Sequence, residues 1–289
     1  MRLLARLGVL ALIILTPAWA LALPPVWTVR SHDCTVVLFG SVHLLPQGLD
    51  WRPPALLAAL AQADDVWFEA PMDDVGREAA TQAAQSHARL PEGQSLWKLL
   101  SARGRDRLRR AEPMLHATAQ QLDGLEPWYV DLAISNSLYA AVGAQGSQGV
   151  EQQLWAQLPA KAVRRQFETP AEQVEFFADA ALEDQVASLE QTLRDMSKAD
   201  KDYHTLLKAW VAGDLRTLDR EVVRPLKAVS PKSYDVLVRQ RNARWIAELT
   251  RRLERPGHVV VIVGMGHLIG PDGLPARLRA LGYDVEGPR

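Results

Sequence analysis

Residues 38–49 read LFGSVHLLPQGL, and residues 263–274 read VGMGHLIGPDGL. Both contain G-x-x-H, then Leu and a second aliphatic residue, then Pro and Gly-Leu, with one extra residue in the later copy. Each glycine closes an apolar, β-branched run, Thr35 to Phe39 in the first copy and His258 to Val263 in the second. A strand ending on glycine turns sharply and lets backbone approach a ligand, and in open α/β sheets ligands sit beyond the carboxyl ends of strands. Two such half-units packed side by side would bring His43 and His267 within reach of one ligand or one metal ion. A lone G-x-x-H is a weak pattern that a capped turn or a satisfied imidazole also explains. Its repetition in the same strand-to-helix setting marks the two histidines as a pair.

Working outward, Val26–Arg30 and Thr35–Phe39 flank the turn-rich Ser31-His32-Asp33, which predicts a hairpin. Pro53-Pro54 opens a helix through ALLAALAQA, and Val66 to Glu69 follows as a short strand. At the other end, Leu274 to Leu281 reads as a helix stopped by Gly282, and Tyr283 to Val285 as a last strand. Between them, residues 73–157 and 170–252 carry mostly helical spacing. The strand Ala162 to Phe167 interrupts it, and Thr169-Pro170 with Glu172 starts the next helix as a cap with Pro at N1. The expected fold is α/β in the α+β sense. It has a central mixed sheet from two related N- and C-terminal half-units (26–70, 162–167, 258–286), a large helical middle region, and one domain over 23–289.

Residues 1–22 read as a signal peptide: Arg2 and Arg6 precede the apolar run Leu7 to Leu15, and Ala18-Trp19-Ala20 or Ala20-Leu21-Ala22 offers small residues for cleavage. The run falls short of the roughly 20 apolar residues a span needs, and no second span follows. An uncleaved N-terminal anchor is the alternative, and either predicts a periplasmic or secreted protein. Lys plus Arg is 33 against 34 Asp plus Glu, with no basic stripe interleaved with aromatics, so nucleic acid is excluded as a partner. The arginine run RGRDRLRR, 103–110, has Asp106 within it and Glu112 behind, and reads as a solvated helix face. Cys34 is the sole cysteine, so no internal disulfide is available; at the start of an apolar run it reads as a small buried hydrophobe.

Glu69 ends the strand VWFE, and a carboxylate after three apolar residues either reaches solvent or meets a cation, a metal or a proton donor. Glu151 in Gly149-Val150-Glu151 and Glu168 in Phe167-Glu168-Thr169 sit at similar boundaries; Glu168 is also placed to favour the positive end of the following helix. Arg241-Asn242 lies in the helical stretch VLVRQRNARWIAEL. Composition makes Arg241 one of many surface arginines, whereas a guanidinium facing the cleft would hold a carboxylate or an oxyanion. Serine catalysis has little support, since Ser41 is outside any G-x-S-x-G elbow.

Taken as a set and in order, Gly40-Ser41-Val42-His43, Glu69, Gly149-Val150-Glu151, Phe167-Glu168-Thr169-Pro170 with Gln173, Arg241-Asn242 with Trp245, and VGMGHLIGPDGL resemble the TraB/GumN family over nearly the whole chain after residue 22. That family is similar to the Tiki proteases and more distantly to erythromycin esterases, haem-associated ChaN-like proteins and a toxin domain. The resemblance implies a centre of His43, Glu69 and His267 supported by Arg241, and metal-dependent peptide hydrolysis as in Tiki proteases. Gly-Val-Glu stands where many members have Asp, which bears on any metal role of Glu151, and Phe-Glu-Thr replaces Leu-Glu-Thr.

The leading expectation is a metal-dependent hydrolase of amide, peptide or ester bonds. Its divalent transition metal (Mn, Co or Zn) would be held by His43, Glu69, His267 and Glu151, with Arg241 holding an oxyanion or a substrate carboxylate. The close rival is metal-free, with one histidine as general base. Two other classes stand beside these. One is a haem- or small-ligand-binding module, without covalent haem because C-x-x-C-H is lacking. The other is an interaction protein that binds a protein partner through its helical middle and keeps a vestigial site.

Overall fold

A computed structural model of the chain describes residues 23–288, so the segment read as a signal peptide lies outside the described residues. Within them the strands are β1 Val26–Arg30, β2 Cys34–Ser41, β3 Leu45–Pro46, β4 Asp65–Phe68, β5 Ala144–Gln145, β6 Val163–Gln166, β7 Gly257–Gly264 and β8 Asp284–Glu286. Six of them form one mixed sheet in the order β6-β4-β7-β2-β1-β8, as the α/β expectation requires. β1 and β2 are the predicted hairpin, antiparallel with Val26 opposite Phe39. β2, β7, β4 and β6 run parallel, and β8 is antiparallel to β1. Parallel strands covered on both faces read as continuous Val/Ile runs, and Val259 through Val263 are all buried.

The two half-units are recognisable without being copies. β2 leads through the helix Pro54–Gln62 to β4, passing over β7; β7 leads through the helix Leu274–Ala280 to β8, passing β2 and β1. β2 and β7 lie side by side with Ser41 opposite Gly264 and Gly40 opposite Val263, so the two G-x-x-H phrases meet one residue out of step. The four parallel strands all run toward the same edge of the sheet, where they end at Ser41, Gly264, Phe68 and Gln166.

Helices fill the middle as expected, among them Ala102–Leu115, Pro127–Ala141, Leu182–Asp195, Ala199–Ala212 and Arg241–Leu253. The main apolar cluster surrounds the sheet, where Trp51 packs 5.7 Å from Phe39 and 5.8 Å from Trp210; all three rings are fully buried, each worth about 1.5–3 kcal/mol. A second cluster, including Leu96, Leu108, Val130, Ile134 and Leu189, lies among the helices alone. Thr169 caps the helix Pro170–Ala178 in a reciprocal box with Glu172, with Pro170 in its first turn. The arginine run lies on the helix Ala102–Leu115, where Arg109 reaches Asp106 at 3.6 Å and stacks over Trp97. Cys34 is buried and free. No helix among the described residues is long and apolar enough to cross a membrane.

Two features had no counterpart in the sequence patterns. β3 pairs with β5 in a two-stranded ladder that joins the loop after His43 to the segment before Glu151. Wide π turns occupy Asp219–Val223 and Asp235–Gln240, the second running directly into Arg241. Such turns insert an extra residue into a helix, which shifts the phase of its apolar face, and they recur at functional sites.

Candidate functional site

His43 lies two residues past β2, Glu69 immediately past β4, Glu168 two residues past β6, and His267 at the end of the short turn Met265–His267 after β7. Gly264 is their meeting point. Its N–H donates to Glu69 Oε1 at 2.6 Å. A Cβ on Gly264 would stand 3.2 Å from Glu69 Oε1, 3.7 Å from His43 Nε2 and 3.8 Å from His267 Cδ2. With φ −51° and ψ 138°, Gly264 has a backbone any residue adopts, so glycine is needed there for space. Two imidazoles and a carboxylate therefore surround one small cradle. Gly40 serves the packing beneath, since a Cβ there would overlap the Met265 side chain, and Trp210 Nε1 donates to Gly40 O at 2.8 Å.

Each imidazole is held from behind. His43 Nδ1 lies 2.6 Å from Oε1 of buried Glu151, which also accepts from Ser41 Oγ. Glu151 is carried there by the β3–β5 ladder and by Val150 N–H donating to Val42 O at 3.1 Å. The His43 side chain is 68% exposed and turns Nε2 toward the cradle. The Glu151 charge, with its hydrogen bond, holds the His43 imidazole up to about 9. Burial would raise the Glu151 carboxyl in turn, but His43 and the Ser41 hydrogen bond keep it below its usual range.

His267 is buried, with Nδ1 2.7 Å from Asn242 Oδ1. Asn242 Nδ2 donates to His267 O and Asp272 O at 3.1 and 2.8 Å, so Oδ1 is the acceptor and the hydrogen-bond network assigns the His267 proton to Nδ1. Its Nε2 lone pair accepts from Arg241 Nη1 at 3.1 Å. Burial, aided by the charges of Arg241 and His43 and opposed by Glu69, pushes the His267 imidazole down to about 3 and leaves it neutral. The ring also packs 4.4 Å from Trp245.

Arg241 is the hub. Nε donates to Glu168 Oε1 at 2.7 Å, Nη2 to Glu168 Oε2 at 2.7 Å and Glu69 Oε2 at 2.5 Å, and Nη1 to Leu237 O at 3.2 Å and to His267. The guanidinium plane lies between Phe176 and Trp245, 4.9 and 4.8 Å from their ring centres. A guanidinium has five N–H bonds, and protein acceptors take all five. The expectation that Arg241 holds an oxyanion or a substrate carboxylate is revised accordingly: in this arrangement it positions Glu69 and His267. Burial would raise the Glu69 carboxyl, but His267, Arg241, His43 and the Gly264 N–H together hold it down to about 2.

Glu168 and Asn242 are the polar residues missing from the expected centre. Of the two readings for Glu168, the structure takes the one shared with Glu69: Thr169 and Glu172 do the capping, and buried Glu168 meets the cation Arg241 and accepts from Trp245 Nε1 at 3.1 Å. The sequence signals were an acid after a strand and an Arg-Asn pair, which mark the positions without saying which atoms they meet.

A divalent transition metal favours imidazole nitrogen and carboxylate oxygen, with each imidazole's other nitrogen hydrogen-bonded. His43 and Glu69 turn Nε2 and Oε1 to the cradle, and His267 would offer its Nε2 there on leaving Arg241, with both Nδ1 atoms tied from behind. Arg241 pairs with Glu69 and Glu168, while Glu151 pairs with His43. Arg241 already shares His267 Nε2, and among the described residues no three His, Cys, Asp or Glu side chains stand together as a ready metal group. Glu151 faces the far nitrogen of His43, where it orients the ring rather than meeting the cradle.

The TraB/PrgY/gumN family profile matches residues 25–287, and the chain belongs to that family. It is similar to Uncharacterized protein YbaP of Escherichia coli (strain K12), 27% identical over 252 residues, which covers 84% of this chain and 87% of that protein. The same identity and coverage hold for Uncharacterized protein YbaP of Shigella flexneri. No solved structure matches the chain significantly.

Proposed function

We propose that the protein is a hydrolase of amide, peptide or ester bonds acting in the periplasm or as a secreted protein. Its divalent transition metal (Mn, Co or Zn) is held by His43, His267 and Glu69. The observation that supports this reading is the convergence of both G-x-x-H imidazoles and Glu69 on the cradle beside Gly264. The leader-like pattern of residues 1–22 supports export. Such an ion, when bound, polarises a carbonyl and makes hydroxide available near neutral pH. The chain supplies the rest. Asn242 presents His267 neutral, Glu151 aims His43, and Arg241 keeps Glu69 ionised and fixed while two aromatic faces shield the guanidinium.

A metal-free reading draws on the His43–Glu151 pair, since an imidazole held near 9 and exposed at the cleft is a ready proton donor to a leaving group. Metal analysis of purified wild type beside His43→Ala and His267→Ala, together with a peptide and ester screen with and without added metal, separates the two. Near-stoichiometric Mn, Co or Zn, lost in both variants along with hydrolysis, supports the metal reading. Hydrolysis by rigorously metal-free protein selects the other. No hydrolysis of any substrate under either condition defeats both.

A further inference from the structure

Two cavities of about 260 and 270 Å³ lie among the middle helices and join through Gln191, Thr192 and Pro225, which line both. Together they form a groove that touches the centre at three places. Phe176 and Leu237 line it and also contact the Arg241 guanidinium. Tyr203 lines it and donates from its hydroxyl to Leu44 O, next to His43, at 3.1 Å. Glu221 lines it too, and its neighbour Val222 packs 3.6 Å from where a Cβ on Gly266 would stand, next to His267.

The groove's chemistry is one-sided. Its walls are largely apolar, with Trp128, Leu132, Phe177 and Leu226 in the first cavity, and every charged residue lining either cavity is acidic. Asp195 and Glu221 pair with Lys198 and Arg220, which lie outside the lining, whereas Asp184 and Asp202 have no basic partner among the described residues. Asp131 is held only by hydroxyls, accepting from Ser188 Oγ at 2.6 Å and from Thr192. A partly desolvated carboxylate without a counter-charge is unfavourable until a cation reaches it. Trp128 Nε1, buried, has no hydrogen-bond partner among the described residues.

We propose that this groove binds the segment of a peptide substrate that carries a lysine or arginine, with Asp131 as the residue that selects the basic side chain. The proposal rests on the hydrolase reading for what happens to that peptide, and on the groove alone for its recognition. A largely apolar channel whose charged wall residues are all carboxylates suits a side chain that buries a methylene stem and pairs its charged head. The Trp128 N–H is left for a backbone carbonyl of the same segment.

The test is calorimetric titration of the full chain carrying His43→Ala, which silences turnover, with the blocked peptide acetyl-Ala-Leu-Lys-Leu-Ala-amide and its norleucine counterpart. The lysine peptide is expected to bind about tenfold more tightly than the norleucine one. Adding Asp131→Asn should abolish that difference. Leu132→Lys, at a partly exposed rim position, should fill the channel with the protein's own cation and abolish it too, even if the Asp131 variant folds poorly. Equal binding of the two peptides, or a lysine preference that survives in a folded Asp131→Asn or Leu132→Lys variant, overturns the proposal. Retained lysine selectivity in a wild type that hydrolyses nothing leaves the groove standing and defeats only the hydrolase.

Discussion

Arg241 Nη1 stands 3.1 Å from His267 Nε2, so the most deeply placed imidazole of the centre presents a lone pair to a permanent cation. Asn242 fixes that state from the other side of the ring. Asn242→Asp would remove the two N–H donors and put a negative charge at Nδ1. His267 is then expected to titrate well above its present value near 3, read by the ring nitrogen shifts in an NMR titration. An unmoved His267 would show that burial and the charge of Arg241 set its state without Asn242.

Gly264→Ala isolates space from backbone conformation. Its φ and ψ suit alanine, so stability should change by no more than about 1 kcal/mol, while the new methyl occupies the cradle between the histidines and Glu69. Thermal melts should be nearly superimposable on wild type, with metal retention and hydrolysis both reduced at least about tenfold. Full activity in this variant would place the chemistry elsewhere.

Glu151→Gln tests the tie behind His43. In metal-free protein the folded-state value of about 9 lies above the unfolded 6.5, so protonated His43 favours the fold. That contribution is complete below about pH 6.5 and lost as pH rises through about 9. In the glutamine variant, the His43 ring protons should titrate closer to 6.5, and the alkaline loss of stability between those values should flatten.

Arg241→Met leaves Glu69 and Glu168 buried without their guanidinium. Breaking a buried pair of this kind costs about 3–5 kcal/mol, readable as a lower denaturant midpoint. Adding Glu168→Gln should recover part of the loss, because one of the stranded charges is removed. No recovery would mean that the cost lies in the packing against Phe176 and Trp245.

The sheet was legible because its strands are apolar runs with glycine or turn residues at their ends: the hairpin, the Val/Ile run of β7 and the cap at Thr169 follow from local chemistry. His43, Glu69 and His267 were legible for the same reason, each following the end of such a run. Arg241 was harder, since a π turn and the company of other arginines mask a position that only tertiary packing buries. The roles of Glu151 and Glu168 depend on which atoms face them, and no spacing along the chain encodes that. The β3–β5 ladder spans about a hundred residues with two residues on each side, too few for any periodicity to register.

The place of β7 between β4 and β2 also sets an order of events. A growing chain makes β2 and β4 early, with His43 and Glu69 already in hand, but the strand that lies between them arrives only with residues 257–264. Until that late insertion, the two early halves of the centre have no shared edge, no Gly264 and no second imidazole. Chains released before residue 257 therefore carry His43, Glu69 and Arg241 but lack Gly264 and His267, so β7 decides when the centre can assemble.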